Sequence, residues 1–385
     1  MTTMRTQQIE VAAGIIDFGV GQPAMDILPL AELREAAAHR FAQGDPAFLQ
    51  YGPEEGEGYF NHALAQFLTA EYARTSGGAP VNAEQLFISN GVSQALDLIC
   101  TLYTQPGDLI FVEEPTYFLV YRIFRDHGLQ IKPIPLTAQG MDLDLLEERL
   151  QRERPTLVYT IPTFQNPANV TMPQAQRERL ISFSQTYGFT LLADEVYQLL
   201  YYHEPPPRPF ADYVQEAPVL SLGSFSKILA PGLRLGWVQA APAVVNRLVE
   251  SGIVQSGGGL NPMSTGVARS ALELGLQQQY VQKLRVLFAE RIAAMDGALR
   301  RTMPAFVDFR TPTGGYFYWL RLPETVDTND LLPLAEAHKV GFRPGNKFSS
   351  TEALRNCLRL SFSYYDSAAL VEGVERLGAV LAEAA

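Results

Sequence analysis

The sequence predicts an α/β protein with a large domain, built on a mostly parallel seven-stranded sheet flanked by helices, and a smaller α+β domain. The first observation is that seven apolar runs alternate with amphipathic stretches between about residues 85 and 260. Strands that are apolar along their whole length are buried on both faces, which is typical of parallel sheets covered by helices. The second observation is that this alternation stops after about residue 262, where a long helical pattern leads into two further apolar runs.

The elements of the large sheet follow one another as this alternation requires. The predicted strands span 86–89, 109–112, 131–136, 156–161, 189–193, 219–222 and 235–240. The predicted helices between them span 93–103, 116–127, 143–151 and 173–187. Sheets of this kind bind ligands beyond the carboxyl ends of their strands, so residues that directly follow a strand are the candidates for a functional site.

The remaining segments define the ends of the chain and the smaller domain. A helix over 30–41 follows an N-terminal arm, and the pattern over 265–299 predicts one long helix that bridges the two domains. Strands are predicted at 315–320 and 358–362, and a closing helix at 367–384. We therefore expect an arm and helix at 1–45 that join the small domain, a large domain at 46–275 and a small domain at 276–385.

Composition excludes several classes of function. The net charge of −11 argues against nucleic-acid and anionic-membrane partners. No apolar run reaches the roughly 18 residues of a membrane span, and residues 1–14 lack the pattern of a signal peptide. Cys100 and Cys357 each lie in an apolar stretch, which favours a reduced, cytoplasmic protein, and the five scattered histidines predict no metal site.

One lysine stands out because of its surroundings. Lys227 ends the turn Ser-Phe-Ser-Lys that follows an apolar strand, and Arg234 comes seven residues later. The hydroxyl groups of Ser224 and Ser226, an amine and a guanidinium thus converge at a strand end. This combination suits a phosphate ester whose aldehyde the lysine captures as a Schiff base. The alternative is an ordinary surface lysine in a loop.

Two further segments have the composition of a cofactor site. The turn that contains Gly91, Val92 and Ser93 links a strand to a helix, whose first N–H groups can bind a phosphate, although many strand–helix turns look alike. Tyr117 follows the next strand, where its ring can stack on a flat heterocycle. A tyrosine of the core is an equally good interpretation of that residue.

Two other strand ends carry an amide and an acid. Asn166 precedes a proline and can donate to a ring oxygen, or it is a plain turn asparagine. Asp194 ends a buried strand, where a carboxylate is costly unless a cation such as a protonated pyridine nitrogen pairs with it. Tyr197 either hydrogen-bonds the ring oxygen or packs inward at a helix start. Together these segments predict a pyridoxal phosphate site.

On these motifs the chain resembles the fold-type I pyridoxal-phosphate aminotransferases of the class I/II family, and above all their α-aminoadipate, kynurenine and aromatic aminotransferase subgroup. The resemblance runs almost from end to end, from the Asp-Phe-Gly-Val-Gly-Gln-Pro segment at 17–23 to the Leu-Arg-Leu-Ser-Phe-Ser segment at 358–363. The most specific parts are the lysine turn with Arg234, the Asn-Pro pair at 166–167 and the Ala-Asp-Glu-Val-Tyr run at 193–197.

The resemblance implies a role for each candidate residue. Lys227 would hold pyridoxal 5′-phosphate and then move the substrate α-proton, with Asp194 paired to the pyridinium nitrogen and Tyr117 covering the ring. The ring oxygen would be bound by Asn166 and Tyr197, and the phosphate by Val92, Ser93, Ser224, Ser226 and Arg234. Val92 stands where the subgroup often has serine, so only the backbone N–H of Val92 can bind the phosphate.

The resemblance also implies the substrate contacts and the assembly. Arg359 would bind the substrate α-carboxylate, because the two N–H groups of a guanidinium fork can bind both carboxylate oxygens. The alternative is that Arg359 pairs with a structural acid of the chain. Gly21 would lie where the arm closes on the substrate, with Asn166 beside it. Tyr51 would reach the phosphate of a neighbouring subunit, which implies a homodimer with shared sites.

These roles predict a ping-pong aminotransferase that acts on an L-α-amino acid and a 2-oxo acid. Aromatic, aminoadipate-like or long aliphatic substrates are suggested by Phe18, Tyr316 and the glycine-rich segment 256–259. No second arginine is recognisable in the sequence as a receptor for a distal carboxylate. The alternatives are a β-lyase, a decarboxylase or another fold-type I enzyme. An aminotransferase-like sensor without activity is disfavoured because we see no basic helix-turn-helix segment, and a structural dimer with a dead site is disfavoured because every catalytic position is filled.

Overall fold

The computed structural model describes residues 8–74, 78–257 and 261–384. Its strands are β1 (Ile16–Asp17), β2 (Leu86–Ser89), β3 (Leu109–Glu114), β4 (Gln130–Thr137), β5 (Gly140–Met141), β6 (Leu157–Thr160), β7 (Thr190–Asp194), β8 (Val219–Ser224), β9 (Gly236–Gln239), β10 (Asp308–Phe309), β11 (Phe317–Arg321), β12 (Val340–Gly341), β13 (Arg343–Pro344) and β14 (Cys357–Ser361). Its α-helices are α1 (Leu30–Ala42), α2 (Gly58–Tyr72), α3 (Val92–Tyr103), α4 (Val120–Asp126), α5 (Leu143–Leu150), α6 (Gln174–Tyr187), α7 (Pro242–Val249), α8 (Gly252–Gln255), α9 (Pro262–Glu273), α10 (Leu276–Thr302), α11 (Leu332–Ala337) and α12 (Ser367–Glu383).

The large sheet confirms the predicted α/β architecture. Its strand order is β2-β9-β8-β7-β6-β3-β4-β5, and all neighbours from β8 to β4 are parallel. The seven predicted strands are all present, and the two-residue strand β5 adds a short antiparallel edge. Since β3, β6, β7 and β8 run in one direction, their carboxyl ends lie at the same edge of the sheet, which is where the candidate residues were expected.

Both faces of this sheet are buried, as the apolar strands require. Val158 and Leu191 pack on one face with Leu146 of α5 and Leu180 of α6. Their chain neighbours Tyr159 and Leu192 point to the other face and pack with Leu96 of α3 and Phe124 of α4. This alternation follows from the two-residue period of a strand, and it fixes which side chains reach the site.

A second, antiparallel sheet has the order β10-β11-β14-β13, and helices α10 and α12 pack against each other in the same part of the chain. The N-terminal arm joins this region, because β1 pairs in parallel with β12. Helix α1 packs instead on α9, where the Arg40 Nε donates to the Gly266 carbonyl over 3.0 Å. The predicted division into an arm and helix at 1–45, a large domain at 46–275 and a small domain at 276–385 stays a prediction.

The predicted single helix over 265–299 is wrong. Helix α9 ends at Glu273 and helix α10 begins at Leu276, with Gly275 between them at φ +72°. Glycine adopts this left-handed conformation without steric cost and so ends a helix. The apolar periodicity continues on both sides of Gly275, which is why the sequence alone suggested one helix.

The predicted helix at 116–127 begins too early. Helix α4 begins at Val120, because the Thr116 N–H donates to the Phe348 carbonyl over 3.0 Å. This contact draws the segment that carries Tyr117 towards the smaller sheet. Among the helices of the described residues, none is long and apolar enough to cross a membrane.

Candidate active site

Lys227 lies in the turn that follows β8, where two parts of the chain meet. Its Nζ donates to the Gly21 carbonyl over 3.3 Å and lies 5.4 Å from the centre of the Tyr316 ring. Burial, together with the positive charges of Arg359 and Arg234, lowers the pKa of Lys227 to about 8, although Asp194 opposes this shift. About a tenth of the amine is therefore neutral at pH 7, far more than for an ordinary lysine, and the neutral form is the nucleophile.

Asp194 ends β7 beside this lysine. Its Oδ2 accepts a hydrogen bond of 2.7 Å from the Tyr159 hydroxyl, whereas its Oδ1 is buried and has no hydrogen-bond partner. Burial raises the pKa of Asp194 to about 6, although Tyr159, the Val196 backbone and Lys227 favour the charged form. A buried carboxylate oxygen without a donor is costly, and it is suited to a cationic N–H group of a ligand.

The start of helix α3 forms a cradle with Arg234. Gly91 precedes the helix at φ +85°, and no side chain caps the helix start. The Arg234 Nη2 donates to the Asn90 carbonyl over 3.2 Å, and a Cβ atom at Gly91 would lie 2.8 Å from the same Nη2. Free helix N–H groups at Val92 and Ser93 next to a guanidinium are a typical arrangement for binding a phosphate.

Ser224 and Ser226 lie in the turn between β8 and Lys227. The Ser226 N–H donates to the Ser224 Oγ over 3.0 Å, which holds the turn, and Arg234 adopts a left-handed conformation with φ of +50°. The two serines were predicted to share in the phosphate cup. Both serines lie in the turn that ends at Lys227, and their contact with a phosphate stays a prediction.

Arg359 of β14 is 3% exposed and contacts Asn166. Its Nη1 donates to the Asn166 Oδ1 over 3.1 Å and its Nη2 donates to the Gly19 carbonyl over 3.0 Å, while its Nε has no partner. Among the described residues no carboxylate lies within ion-pair distance of Arg359, so the structural acid considered from the sequence is not found. Burial lowers the pKa of Arg359 to about 9, and the group remains cationic at neutral pH.

Aromatic rings form one wall of this region. The ring of Tyr197 lies 5.5 Å from Tyr316 and 6.1 Å from Phe317, both edge-on, and the guanidinium of Arg359 lies 4.0 Å from the centre of Phe317. Tyr117 packs edge-on against Phe118 at 5.6 Å, and burial raises its pKa to about 12. The wall therefore offers flat surfaces and neutral hydroxyl donors.

Gly21 and Tyr51 were also predicted at the site, and their positions differ. Gly21 lies against it, since a Cβ atom there would approach Phe317 and Arg359 to 3.1 and 3.2 Å. Tyr51 is 83% exposed and lines a surface groove with Arg40 and Tyr59. Among the described residues Tyr51 makes no hydrogen bond or ring contact with the Lys227 region, so its predicted role depends on a second subunit.

Two residues of the predicted substrate pocket, Phe18 and Tyr316, lie in different surroundings. Phe18 is fully buried and packs edge-on against Tyr365, with its ring close to Gly373 of α12, so it belongs to the core. Tyr316 does lie beside Lys227, and its hydroxyl donates to the Lys227 carbonyl over 3.1 Å. In the glycine-rich segment 256–259, residues 258 and 259 lie outside the described residues.

Sequence reasoning missed two residues that the structure brings to the site. Tyr159 anchors Asp194 from the neighbouring strand, and only the strand order reveals the contact. Arg343 lies directly opposite Arg359 on β13, a juxtaposition that the sequence alone does not reveal. Its presence in the short Phe-Arg-Pro-Gly segment at 342–345 gives no sign of this without the pairing.

The unsatisfied groups fit pyridoxal phosphate. The buried Asp194 Oδ1 has no cationic partner to stabilise its charge, and Arg359 has no anionic partner among the described residues. The uncapped start of α3 lies beside Arg234. A phosphorylated pyridine aldehyde presents an N–H, a phosphate and a reactive carbon, and these groups match the acid, the cradle and the lysine. Fold and site thus define a pyridoxal-phosphate enzyme of fold type I.

The chain belongs to the aminotransferase class I and II family, whose model matches residues 13–377. It is 35% identical over 376 residues to aromatic-amino-acid aminotransferase 1 of Thermococcus litoralis, an alignment that covers 96% of this chain and 88% of that protein. This membership confirms the predicted fold, the predicted reaction class and the cofactor, pyridoxal phosphate.

Two solved structures are closely similar. Kynurenine aminotransferase of Pyrococcus horikoshii, in complex with PMP, has a TM-score of 0.89 and 32% identity, and the match covers 97% of this chain and 92% of that one. LysN, the α-aminoadipate aminotransferase of Thermus thermophilus, complexed with N-(5′-phosphopyridoxyl)-L-leucine, has a TM-score of 0.86 and 34% identity over 96% and 93% of the two chains. The substrates of an aminotransferase are amino acids and 2-oxo acids.

Proposed function

We propose that this enzyme transfers the amino group of an L-α-amino acid to a 2-oxo acid by ping-pong chemistry centred on Lys227. The observation that carries the proposal is the group of Lys227, Asp194 and Arg359, in which an amine of lowered pKa feels the charges of a buried acid with one unpartnered oxygen and of a buried arginine without an ion pair. When bound, pyridoxal phosphate supplies an aldehyde that captures amines and a ring that accepts electrons.

The residues of the chain bind and orient around that group. The Lys227 Nζ would hold the cofactor, and its free amine would serve as the base that moves the substrate α-proton. The Asp194 carboxylate keeps a proton on the ring nitrogen. Because the Asn166 Oδ1 already accepts from Arg359, the Asn166 amide nitrogen remains available to donate to the ring oxygen, together with the Tyr197 hydroxyl.

The other predicted residues position the phosphate and the substrate. The first N–H groups of α3 at Val92 and Ser93, with Ser224, Ser226 and Arg234, bind the phosphate. Tyr117 would cover one face of the ring. The Arg359 guanidinium binds the substrate α-carboxylate, and Gly21 lets the arm approach the substrate, since any side chain there would meet Phe317 and Arg359.

Replacement of the lysine tests this assignment. We expect Lys227→Ala to lose the visible absorbance of the holoenzyme and nearly all turnover, and Lys227→Arg to fail in the same way because a guanidinium is not nucleophilic at neutral pH. Borohydride reduction of the wild-type holoenzyme, followed by peptide mass spectrometry, should place the cofactor on residue 227. Full activity of Lys227→Ala, or an adduct at another lysine, contradicts the assignment.

The substrates proposed are aromatic, aminoadipate-like or long aliphatic amino acids. The wall formed by Tyr117, Phe118, Phe317 and Phe348 supports apolar side chains, and the named relatives act on aromatic amino acids, kynurenine and α-aminoadipate. A panel of amino donors, offered one at a time without an acceptor, should convert the cofactor to pyridoxamine phosphate. Release of ammonia and pyruvate from β-substituted donors would favour a lyase.

We also propose a homodimer in which Tyr51 reaches the phosphate of the neighbouring site. Leu49, Tyr51 and Tyr59 are 63%, 83% and 70% exposed, and clusters of exposed large apolar side chains mark protein interfaces. A cytoplasmic location is proposed as well. It is supported by Cys100 and Cys357, which are both buried free thiols.

A further inference from the structure

Arg343 and Arg359 form a pair of like charges on neighbouring strands. They are register partners in the antiparallel pairing of β13 with β14, so their side chains lie on the same face of the sheet. Like charges directly opposite each other in a sheet are destabilising. Arg343 also contributes to the lowered pKa of Arg359, in keeping with this proximity.

The two guanidinium groups converge on one backbone carbonyl. The Arg343 Nη2 donates to the Gly19 oxygen over 3.4 Å, and the Arg359 Nη2 donates to the same oxygen over 3.0 Å. The Nε atoms of both arginines are buried and have no hydrogen-bond partner. The two terminal nitrogens are therefore separated by no more than the sum of these two distances, with unused donors on either side.

No described carboxylate lies within ion-pair distance of either arginine. Asp17 is an acid close enough to act on the charge of Arg359, and its Oδ1 accepts the Gly19 N–H over 2.8 Å. That oxygen is thus bonded to the backbone of the same turn and does not form an ion pair with Arg343. Two cations that share one carbonyl and form no ion pair with a described carboxylate make a site of positive potential.

The surroundings of Arg343 place it on the aromatic side of the pocket. Its guanidinium carbon lies 5.9 Å from the centre of the Phe118 ring, and Phe118 packs edge-on against Tyr117 and Phe348. The Phe348 ring in turn lies 4.9 Å from the guanidinium of Arg359. Arg343 therefore lies next to the proposed carboxylate clamp, on the same rim as the ring that covers the cofactor.

We infer that Arg343 binds the side-chain carboxylate of a dicarboxylic amino acid or 2-oxo acid while Arg359 binds its α-carboxylate. This inference rests on the proposed function, in which Arg359 is the α-carboxylate clamp. A short diacid neutralises both cations at once, and an arginine fork binds a carboxylate bidentately. The Phe118 and Tyr117 rings remain available for apolar side chains, so one pocket accepts both an acidic and an apolar substrate.

The test measures selectivity in the pyridoxal-phosphate-loaded enzyme. For wild type, Arg343→Gln and Arg343→Lys, kcat/KM is determined for the half-reactions with L-glutamate and L-leucine. We expect Arg343→Gln to lower the glutamate-to-leucine ratio about 10- to 100-fold, the size of a lost hydrogen bond to a charged group. Arg343→Lys keeps the charge but loses the fork, and should give an intermediate ratio. The exposed Arg310→Gln is the matched control and should leave the ratio unchanged.

Inhibition by unreactive acids gives a second readout. Glutarate should inhibit wild type more strongly than valerate, and Arg343→Gln should remove most of that difference. If Arg343 instead only holds the arm near Asp17, Arg343→Gln and Asp17→Asn will lower the melting temperature and the activity with both donors in equal proportion, which overturns the inference.

The outcomes also separate this inference from the proposed function. A wild-type holoenzyme that transfers no amino group from any donor contradicts the proposed function itself. A wild type that uses leucine but no dicarboxylic substrate, or a glutamate-to-leucine ratio that Arg343→Gln does not move, contradicts only the assignment of Arg343.

Discussion

At the scale of single residues, the amine of Lys227 is controlled by the charges around it. Arg359 and Arg234 lower its pKa and Asp194 raises it, while burial accounts for the largest part of the shift to about 8. Arginine at 359 therefore has a second effect besides binding substrate. It keeps part of the lysine neutral before any cofactor or substrate arrives.

The first prediction concerns the pH dependence of cofactor capture. Only the neutral amine attacks an aldehyde, so the rate at which the apoenzyme takes up pyridoxal phosphate should rise with pH and level off above about 8. Removal of a nearby positive charge raises the pKa of a lysine. Arg359→Gln should therefore move the midpoint of the rate profile to higher pH, towards the ordinary value of 10.5. Stopped-flow absorbance measures the rate, and an unchanged or lower midpoint contradicts the assignment.

The second prediction separates the charge of Asp194 from its hydrogen bond. Asp194→Asn keeps the size of the side chain but removes the partner of a buried cation, which costs about 3–5 kcal/mol. The amino-acid half-reaction should slow at least about 100-fold. Tyr159→Phe removes only the hydrogen bond to Oδ2, worth about 1 kcal/mol, and should slow the half-reaction about 5-fold. Equal losses in the two variants would show that the charge is unimportant.

At the scale of elements, the apolar strands could be predicted well because each is buried on both faces and reads as a continuous run. The points where elements begin and end depend instead on single contacts and backbone conformations. The start of α4 is set by a hydrogen bond from Thr116 to Phe348, which no local pattern reveals. Likewise, the break at Gly275 is set by one backbone conformation inside an unbroken apolar period.

The same limit applies to the candidate site. Lys227, Asp194 and Asn166 were found because each follows a strand, and the topology of a parallel sheet brings strand ends together. Tyr159 and Arg343 were missed because their importance lies in a partner on another strand. Phe18 was placed in the pocket from its aromatic character, whereas packing against α12 makes it a core residue.

The third prediction tests the helix break with two glycines of the same region. Gly275→Ala places a side chain at φ +72°, where nothing lies within 4 Å of the new Cβ atom, so the backbone alone should cost about 1–2 kcal/mol of unfolding free energy. Gly297 lies inside α10, and its Cβ atom would meet only the flexible end of Arg301 at 3.4 Å. Gly297→Ala should therefore stabilise by about 0.5–1 kcal/mol. Denaturant unfolding measures the change in unfolding free energy for each variant, and changes of the same sign would contradict this account.

At the scale of the whole molecule, the exposed surface around Tyr51 predicts a shared site. A fourth experiment mixes subunits of Lys227→Ala with subunits of Tyr51→Ala after dissociation and reassembly. In a mixed dimer, one site combines both substitutions and the other has wild-type Lys227 together with wild-type Tyr51 from its neighbour. Activity at limiting pyridoxal phosphate should therefore recover above that of either variant alone.

The control for this mixture is a double variant that carries both substitutions in one chain, mixed with either single variant. Its mixed dimers contain no site with both wild-type residues, so no activity should return. If the two single variants also fail to complement each other while size-exclusion chromatography with light scattering shows dimers, Tyr51 serves its own subunit and the proposed sharing is wrong.

The contacts of the N-terminal arm have a consequence for biosynthesis. The Gly19 carbonyl binds the Arg359 guanidinium across 340 positions of sequence, and the Phe18 carbonyl accepts the Ser361 N–H over 2.8 Å. A nascent chain can thus display the lysine turn while residue 359 is still inside the ribosome. The proposed clamp for the α-carboxylate therefore forms only when the last strand emerges and docks on the arm, so a translation product shortened before residue 359 would lack that clamp.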